Sequence, residues 1–322
     1  MKEYYVNFYQ YGDRVRINLT DLAEKVIFQS DLIIFEASAD DHWTRNQFIN
    51  MLIQNYEGEF ELNLDLLNGR DGNYHLLRLN KNSLNLINSS THPYKRNIRY
   101  TGGPWNKKFE CPQFIKCLLE TYARLPFIER EKLVLKNNVI KPITEAISAG
   151  RKLSVTYAYD IKIFYTVSPI CIAPAKEGTF QYLVCTEDNG GLLSLRLSRI
   201  KEVNAERKKS NALSEFRIKE ISEKLAEFGP TFVNEEEVTV KVRLSPAGIS
   251  HYVYSVMHRP MHIDVEHESN GRDAEDVFVF RCSERQAQYF FFRFAGEAEI
   301  LEPQSLREKF RNLYQSGLNN YL

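Results

Sequence analysis

Residues 151–203 constrain this chain more tightly than any other stretch. They open with RKLSVTYAYD, continue through KIFYTVSPICIAP and TFQYLVCTED, and close with LLSLRLSRIKEV. These are four short runs of β-branched and aromatic residues, each broken by charge, Gly or Pro. Spacing of that kind predicts a small, strongly bent antiparallel sheet or barrel. Several of its residues are unusual for a plain core: Tyr157, Tyr159, Tyr182, Arg196 and Arg199.

The full 322 residues suffice for two or three domains, each able to bury its own core. A hydrophobic share of 43% with 26% charged residues is ordinary for a soluble globular protein. Lys plus Arg equals Asp plus Glu at 42 each, so no global field favours nucleic acid. Any such site must be a local patch set against acidic surface elsewhere. The five cysteines (Cys111, Cys117, Cys171, Cys185, Cys282) are odd in number and lack CxxC spacing. They read as reduced thiols in an intracellular protein. No apolar run reaches the length of a membrane span, and MKEYYVNFYQ lacks a signal peptide's hydrophobic core. A cytoplasmic location without membrane contact is expected.

Near the N-terminus, DRVRINL alternates strictly, with Val15, Ile17 and Leu19 on one face and Arg14, Arg16 and Asn18 on the other. Thr20-Asp21 offers an N-cap to a helix carrying Leu22, Val26, Ile27, Ile33 and Ile34. Thr44 and Gln47 form a capping box that opens a second helix, QFINMLIQNY. A short basic strand followed by two helices resembles the ribbon-helix-helix outline, in which two paired strands enter the major groove. One such half needs a partner strand, and the sequence supplies one. Residues 113–122, QFIKCLLETY, repeat 47–56 with five of ten positions identical, and Arg78-Leu79-Asn80 echoes Arg16-Ile17-Asn18. Residues 1–60 and 70–125 therefore read as two halves of an internal duplication. The second half carries a basic, aromatic insertion between its helices, with Lys95, Arg96, Arg99, Lys107 and Lys108 beside Tyr94, Tyr100 and Trp105.

Residues 126–150 read as a helical connector, kinked near Pro142 and stopped at Gly150. The run 206–230 reads as a charged amphipathic linker helix ended by Gly229-Pro230. The last ninety or so residues alternate strands with helices: VTVKVRLSP, MHIDVEHES, DVFVFRCSE and GEAEILEP are strands, and 247–257, 284–293 and 304–320 are helices. That density suggests a ferredoxin-like α+β sandwich.

The central stretch resembles the WYL domain, an Sm-like barrel of prokaryotic regulators. The family's first strand ends in Tyr, as here at Tyr157, and a Val-x-Pro follows at Val167-Ser168-Pro169. The naming Trp-Tyr-Leu reads Gln181-Tyr182-Leu183, so the Trp is missing, while Arg196-Leu197-Ser198-Arg199-Ile200 keeps the closing Arg-x-x-Arg-Ile. The C-terminal part resembles the extension that often follows a WYL domain, including its Gly-x-Ala-x-Ile-Leu-x-Pro strand at 296–303. The expected fold is α+β and multidomain. It comprises a ribbon-helix-helix-like domain of tandem halves (1–125), a helical connector (126–150) and an Sm/SH3-like WYL barrel (151–205). A linker helix (206–230) and a ferredoxin-like extension or dimerisation domain (231–322) complete it.

The WYL resemblance assigns Ser154, Tyr157, Tyr182, Arg196 and Arg199 to a ligand groove. Physical chemistry supports the assignment: guanidinium forks match phosphate, and phenol rings offer π-faces to unpaired bases. The competing reading packs the tyrosines as core and pairs the arginines with Glu202 or Asp188. On the ribbon, Arg14, Arg16, Asn18, Arg78 and Asn80 are candidate duplex readers, since Arg pairs bidentately with guanine and Asn with adenine. The competing reading there is an edge strand with solubilising charge, which Leu76 on the second copy's outward face favours. His251, His258, His262 and His267, with Asp264 and Glu266, read as solvated groups, so neither a metal nor another cofactor is expected. No GxSxG, Walker loop, HExxH or Cys–His arrangement occurs, and no enzyme is expected.

A WYL domain behind a ribbon-helix-helix N-terminus resembles the accessory proteins of compact RNA-targeting (type VI-D) CRISPR systems. That resemblance implies an antiviral-defence role, single-stranded RNA as ligand and a nuclease as partner. The alternatives are a DNA-binding transcriptional regulator sensing an oligonucleotide, and an interaction module with no nucleic acid. The aromatic run Tyr289-Phe290-Phe291-Phe292 suggests a homodimer or, equally, a buried core helix.

Overall fold

A computed structural model describes residues 9–36, 43–68, 72–89, 111–158, 162–267 and 276–321. The basic insertion 94–108 and Tyr159 lie outside the described residues. The architecture is mixed α+β, with three sheets among the described residues. The chain divides into two compact units, Met1–Pro169 with Leu195–Ser210, and Ile170–Ser194 with Asn211–Leu322.

In the first unit, β1 (Tyr9–Tyr11), β2 (Arg14–Leu19) and β3 (Asn73–Arg78) form an antiparallel sheet in the order β1-β2-β3. The strands of the two sequence copies pair directly, with Arg14 opposite Arg78 and Leu19 opposite Asn73. The added β1 covers the other edge of β2, turning at Gly12 with φ +61°. Strand β3 starts from Gly72, where a Cβ would fall 1.6 Å from the Leu19 carbonyl oxygen.

The repeated helices, Arg45–Asn55 and Cys111–Tyr122, use their identical residues as core. Phe48, Ile49, Leu52 and Tyr56 are buried, as are their counterparts Phe114, Ile115, Leu118 and Tyr122. Each helix then reaches across to the other copy's strand segment. Asn50 donates to the Arg78 carbonyl (2.9 Å) and accepts from the Asn80 amide (2.8 Å). At the matching position of the second copy, Lys116 donates to Asn18 Oδ1 (2.9 Å). The expected capping box at Thr44 and Gln47 is present.

The helix caps correct the alignment of the two copies. Thr20 caps the helix that begins at Asp21, and Asn80 caps the one at Lys81. Asn80 therefore matches Thr20, two residues from the Arg16-Ile17-Asn18 echo. The helix after β2 also carries a π-helical segment, Lys25–Asp31. Within it Asp31 is fully buried and accepts from Tyr122 Oη (2.6 Å) and Arg130 Nε (2.7 Å).

The connector runs Phe127–Leu135, then a π-helical segment Lys136–Ile140, then Lys141–Ser148. A π-helical segment at 136–140 interrupts the α-helix ahead of Pro142. Pro142 sits in the first turn of the next helix, where its missing N–H costs little. Beyond Gly150 come β4 (Arg151–Ala158), β5 (Lys162–Pro174), β6 (Gln181–Thr186), β7 (Leu192–Arg196) and β8 (Ile200–Lys209), in sheet order β7-β6-β5-β4-β8. The boundary between units falls inside β5 and again inside β7. The run Glu206–Lys209 extends β8, and the linker helix begins only at Glu215, with Ser214 as its cap. The expectation of helix from 206 onward is corrected: Arg207, Lys208 and Lys209 belong to an edge strand.

In the second unit the elements run β9 (Val238–Leu244), helix Pro246–Tyr254, β10 (His262–His267), β11 (Asp276–Cys282), helix Glu284–Phe291, β12 (Ala298–Glu302) and helix Gln304–Asn319. The strand order is β10-β11-β9-β12, antiparallel throughout. Alternate residues of β9 (Val240, Val242, Leu244) face a core of Phe280, Phe290, Phe291, Phe294, Leu306 and Phe310. Phe290 and Phe291 are fully buried, and Phe292 stacks on Tyr314 at 4.9 Å. The aromatic run is therefore largely used inside this domain.

Replacing Arg130 with Met leaves the Asp31 carboxylate buried without its cation and is expected to lower unfolding free energy by about 3–5 kcal/mol. Urea denaturation measures it, and a loss under about 1 kcal/mol would show that the pair is dispensable. Gly72→Ala is expected to weaken β2–β3 pairing. Hydrogen exchange should then show faster amides in both strands and unchanged ones in β9–β12.

Candidate nucleic-acid interface

Strand β4 lies between β5 and β8, so its alternation sorts the candidate residues by face. Ser154 and Thr156 point one way; Leu153, Val155 and Tyr157 point the other. Leu153 and Val155 are core, while Tyr157 at the strand's end is half-buried. Ser154 lies opposite Thr166 and Asn204, on the opposite face from Tyr157. The two are not brought together.

Tyr157 lies opposite Ile163 on β5 and Ile200 on β8, and its ring meets Tyr165 edge-on at 6.3 Å. A bulge at Lys201 shifts the β8 register just there, between Thr156 and Tyr157. Immediately before Ile200 is the 3₁₀ turn Leu197–Arg199. Leu197 and Ser198 are buried, so the Arg-x-x-Arg spacing leaves Arg196 and Arg199 half-buried on either side of them. Arg196 Nε donates to Ser198 Oγ at 2.7 Å, which fixes the turn from within. The turn packs against helices Leu32–Glu36 and Phe127–Leu135 of the same unit. In the second unit, Tyr182 is half-buried on β6 between buried Gln181 and Leu183.

Sequence reasoning missed three features here. Tyr165 forms the second ring of the tyrosine pair. Phe164 is 75% exposed on the Ser154 face, opposite Thr156. Arg151 and Lys209 are cross-strand partners, and with exposed Arg207 and Lys208 they make a basic strand end. The lysines and arginine of β8 were legible as charge, but their placement required knowing that the strand continues past Glu206.

The ribbon candidates fare differently. Arg14 is exposed, but Arg16 is half-buried with its guanidinium 4.4 Å from the Tyr74 ring centre. Asn18, expected on the open face, is 3% exposed and holds Lys116. Arg78 donates to Asp13 (2.6 Å), and that hydrogen bond holds the Asp13 carboxyl below its usual range. Asn80 is not a strand residue: its side chain accepts from the Ser83 amide (2.9 Å) and from Gln54 (3.2 Å). Leu76 is 56% exposed on the face where bases would lie. Asn18 and Asn80 are thus corrected as readers, because the fold uses both amides as structural anchors.

Among the described residues no group of three or more His, Cys, Asp or Glu side chains is placed to hold a metal ion. His262 faces Tyr252 Oη (3.1 Å), and His258 faces Glu177. Burial pushes the thiols of Cys111, Cys117 and Cys282 up to about 12, so they stay protonated at neutral pH. No helix among the described residues is long and apolar enough to cross a membrane.

No curated protein matches the sequence. The whole-chain fold is similar to that of a structure described as "Crystal structure of a CRISPR Cas-related protein" (TM-score 0.72, 19% identity, 98% of this chain and 96% of that one). Proteasome accessory factor B/C (PafBC) of Arthrobacter aurescens aligns at 17% identity over 68% of this chain and 34% of that one. Its TM-score of 0.28 is too low to bear on the fold. Residues 236–316 match the WCX domain, the C-terminal WYL extension expected from the sequence.

Proposed function

We propose that this chain is a non-catalytic regulator that binds single-stranded nucleic acid, RNA in preference to DNA, through its WYL-like sheet. The reading assigns Tyr157, Arg196 and Arg199 to the ligand. The observation that carries it is the Tyr157–Tyr165 ring pair beside the Arg196–Arg199 turn, both in the first unit. Half-buried rings can take unpaired bases, and arginines at a strand end can take phosphate. A duplex offers neither stacking surface, because its bases are already stacked. Sheet order β7-β6-β5-β4-β8 supports an Sm-like barrel, and the β-α-β-β-α-β run of the C-terminal unit supports a ferredoxin-like domain.

The likeness over nearly the whole chain to a CRISPR Cas-related protein supports placing this chain beside an RNA-targeting CRISPR nuclease, whose activity it would modulate. The WCX match supports a WYL regulator more broadly. A second reading, a ribbon-helix-helix operator binder whose WYL domain senses an oligonucleotide, is favoured by the β2–β3 pairing. Against it stand buried Asn18, capping Asn80 and exposed Leu76. A homodimer would leave either reading intact.

Fluorescence anisotropy with labelled single-stranded RNA, single-stranded DNA and duplex DNA tests the proposal. Single-stranded RNA is expected to bind most tightly. Tyr157→Ala should weaken it by about 1–3 kcal/mol, and Arg199→Ala should reduce the salt slope by about 0.7. Duplex binding lost on Arg14→Ala would favour the operator reading. Failure to bind any single strand, or binding indifferent to both barrel changes, would overturn the first.

A further inference from the structure

The second unit holds a cleft of about 240 Å³ lined by Lys176, Glu177, Phe232, His258, Arg259 and Gln286, among others. An adjoining pocket of about 200 Å³ shares Lys176, Arg259 and Gln286 with it and adds Arg281. Neither includes a residue of the Tyr157–Arg199 site. Three independent features mark the cleft as more than a crease between elements.

First, its wall contains a buried acceptor without a donor. Gln286 is 6% exposed, and its Nε2 donates to the His258 carbonyl at 3.3 Å. Its Oε1 is buried and has no hydrogen-bond partner among the described residues. A buried acceptor without a donor is costly, so a fold that keeps one at a cleft wall leaves room for a ligand's N–H.

Second, His258 has φ +61°, a conformation that non-glycine residues rarely adopt. It is fastened there. Its backbone N–H donates to Glu177 Oε1 (2.6 Å), its Nδ1 lies 2.9 Å from the same oxygen, and its carbonyl takes the Gln286 amide. Burial opposes ionisation of Glu177, but the His258 hydrogen bonds outweigh it and hold the carboxyl below its ordinary range. The wall therefore carries the Glu177 carboxylate, held by the His258 backbone N–H.

Third, cations stand beside this wall. Lys176 donates to the Glu227 carbonyl, and Arg259 donates one guanidinium nitrogen to the Val253 carbonyl (3.0 Å). Arg281 is taken up by Glu227 and Glu237, which leaves Lys176 and Arg259 as the anion-facing groups. Phe228 and Phe232 supply buried apolar walls, with Met261 exposed at the rim.

We propose that this cleft in the C-terminal unit binds a nucleoside monophosphate. The base edge would donate to Gln286 Oε1, the ring would lie against Phe228 and Phe232, and the phosphate would meet Arg259 and Lys176. Free phosphate would leave the orphan acceptor and the apolar walls unused, and an apolar ligand would leave the cations unused. The volume suits one nucleotide and not a chain of them. The inference does not rest on the single-strand reading.

Isothermal titration calorimetry of the full chain with AMP, GMP, CMP and UMP tests it, with inorganic phosphate as the control. At least one nucleotide is expected to bind saturably and at least about ten-fold more tightly than phosphate. Arg259→Gln should weaken it about ten-fold or more and Gln286→Met about three- to ten-fold, with circular dichroism unchanged. Both variants should bind single-stranded RNA as the parent chain does. No binding by any of the four at millimolar concentration, or phosphate binding equally well, would overturn the proposal. So would affinity unchanged in both variants, or affinity lost in Tyr157→Ala in place of Arg259→Gln. The last result would move the nucleotide to the single-strand site and leave that reading standing.

Discussion

The N-terminal architecture depends on one strand pairing, β2 against β3. Neither strand can stand alone, because each would leave a row of amides and carbonyls without partners. Antiparallel pairing of β2 with β3 solves this within one chain, and the helices then lock the solution. Asn50 from the first copy bonds the backbone at the end of the second copy's strand, while Lys116 from the second bonds Asn18 of the first. Buried polar groups are costly unless satisfied, so these two anchors penalise other registers as well as stabilising the observed one.

The same anchoring limits what the sheet can do. A ribbon that reads duplex DNA must present its polar side chains outward, free of internal obligations. Here Asn18 and Asn80 serve the fold, Arg78 meets Asp13, and Arg16 lies over Tyr74. In the Arg196–Arg199 turn an internal partner is also present, Arg196 Nε donating to Ser198 Oγ at 2.7 Å. The turn's two central residues are buried and hold it, and the arginines flank them half-exposed.

The C-terminal unit divides a strongly apolar run between core and surface, Tyr289 and Phe292 staying 47% and 41% exposed. Tyr289–Phe292 looks too apolar for one small domain. Phe290 and Phe291 nevertheless complete a core built from four strands, and Phe292 finds Tyr314 on the last helix. What that core does not absorb is the polar wall around His258 and Gln286.

Local patterns in the sequence determined a good deal. Strict alternation in DRVRINL, the Thr44–Gln47 box, the repeated QFI…L…Y helix and the Gly150 stop each specify structure through neighbours a few residues away. The closing Arg-x-x-Arg was legible only through the WYL resemblance; its 3₁₀ turn and the burial of Leu197 and Ser198 belong to the fold. Tertiary structure decided the rest. The two-residue slip between copies was set by helix caps, and the continuation of β8 through Lys209 was set by its pairing with β4. Cross-strand register, burial by a distant helix and an unfilled acceptor are relations between segments far apart in the chain. No window of neighbouring residues carries them.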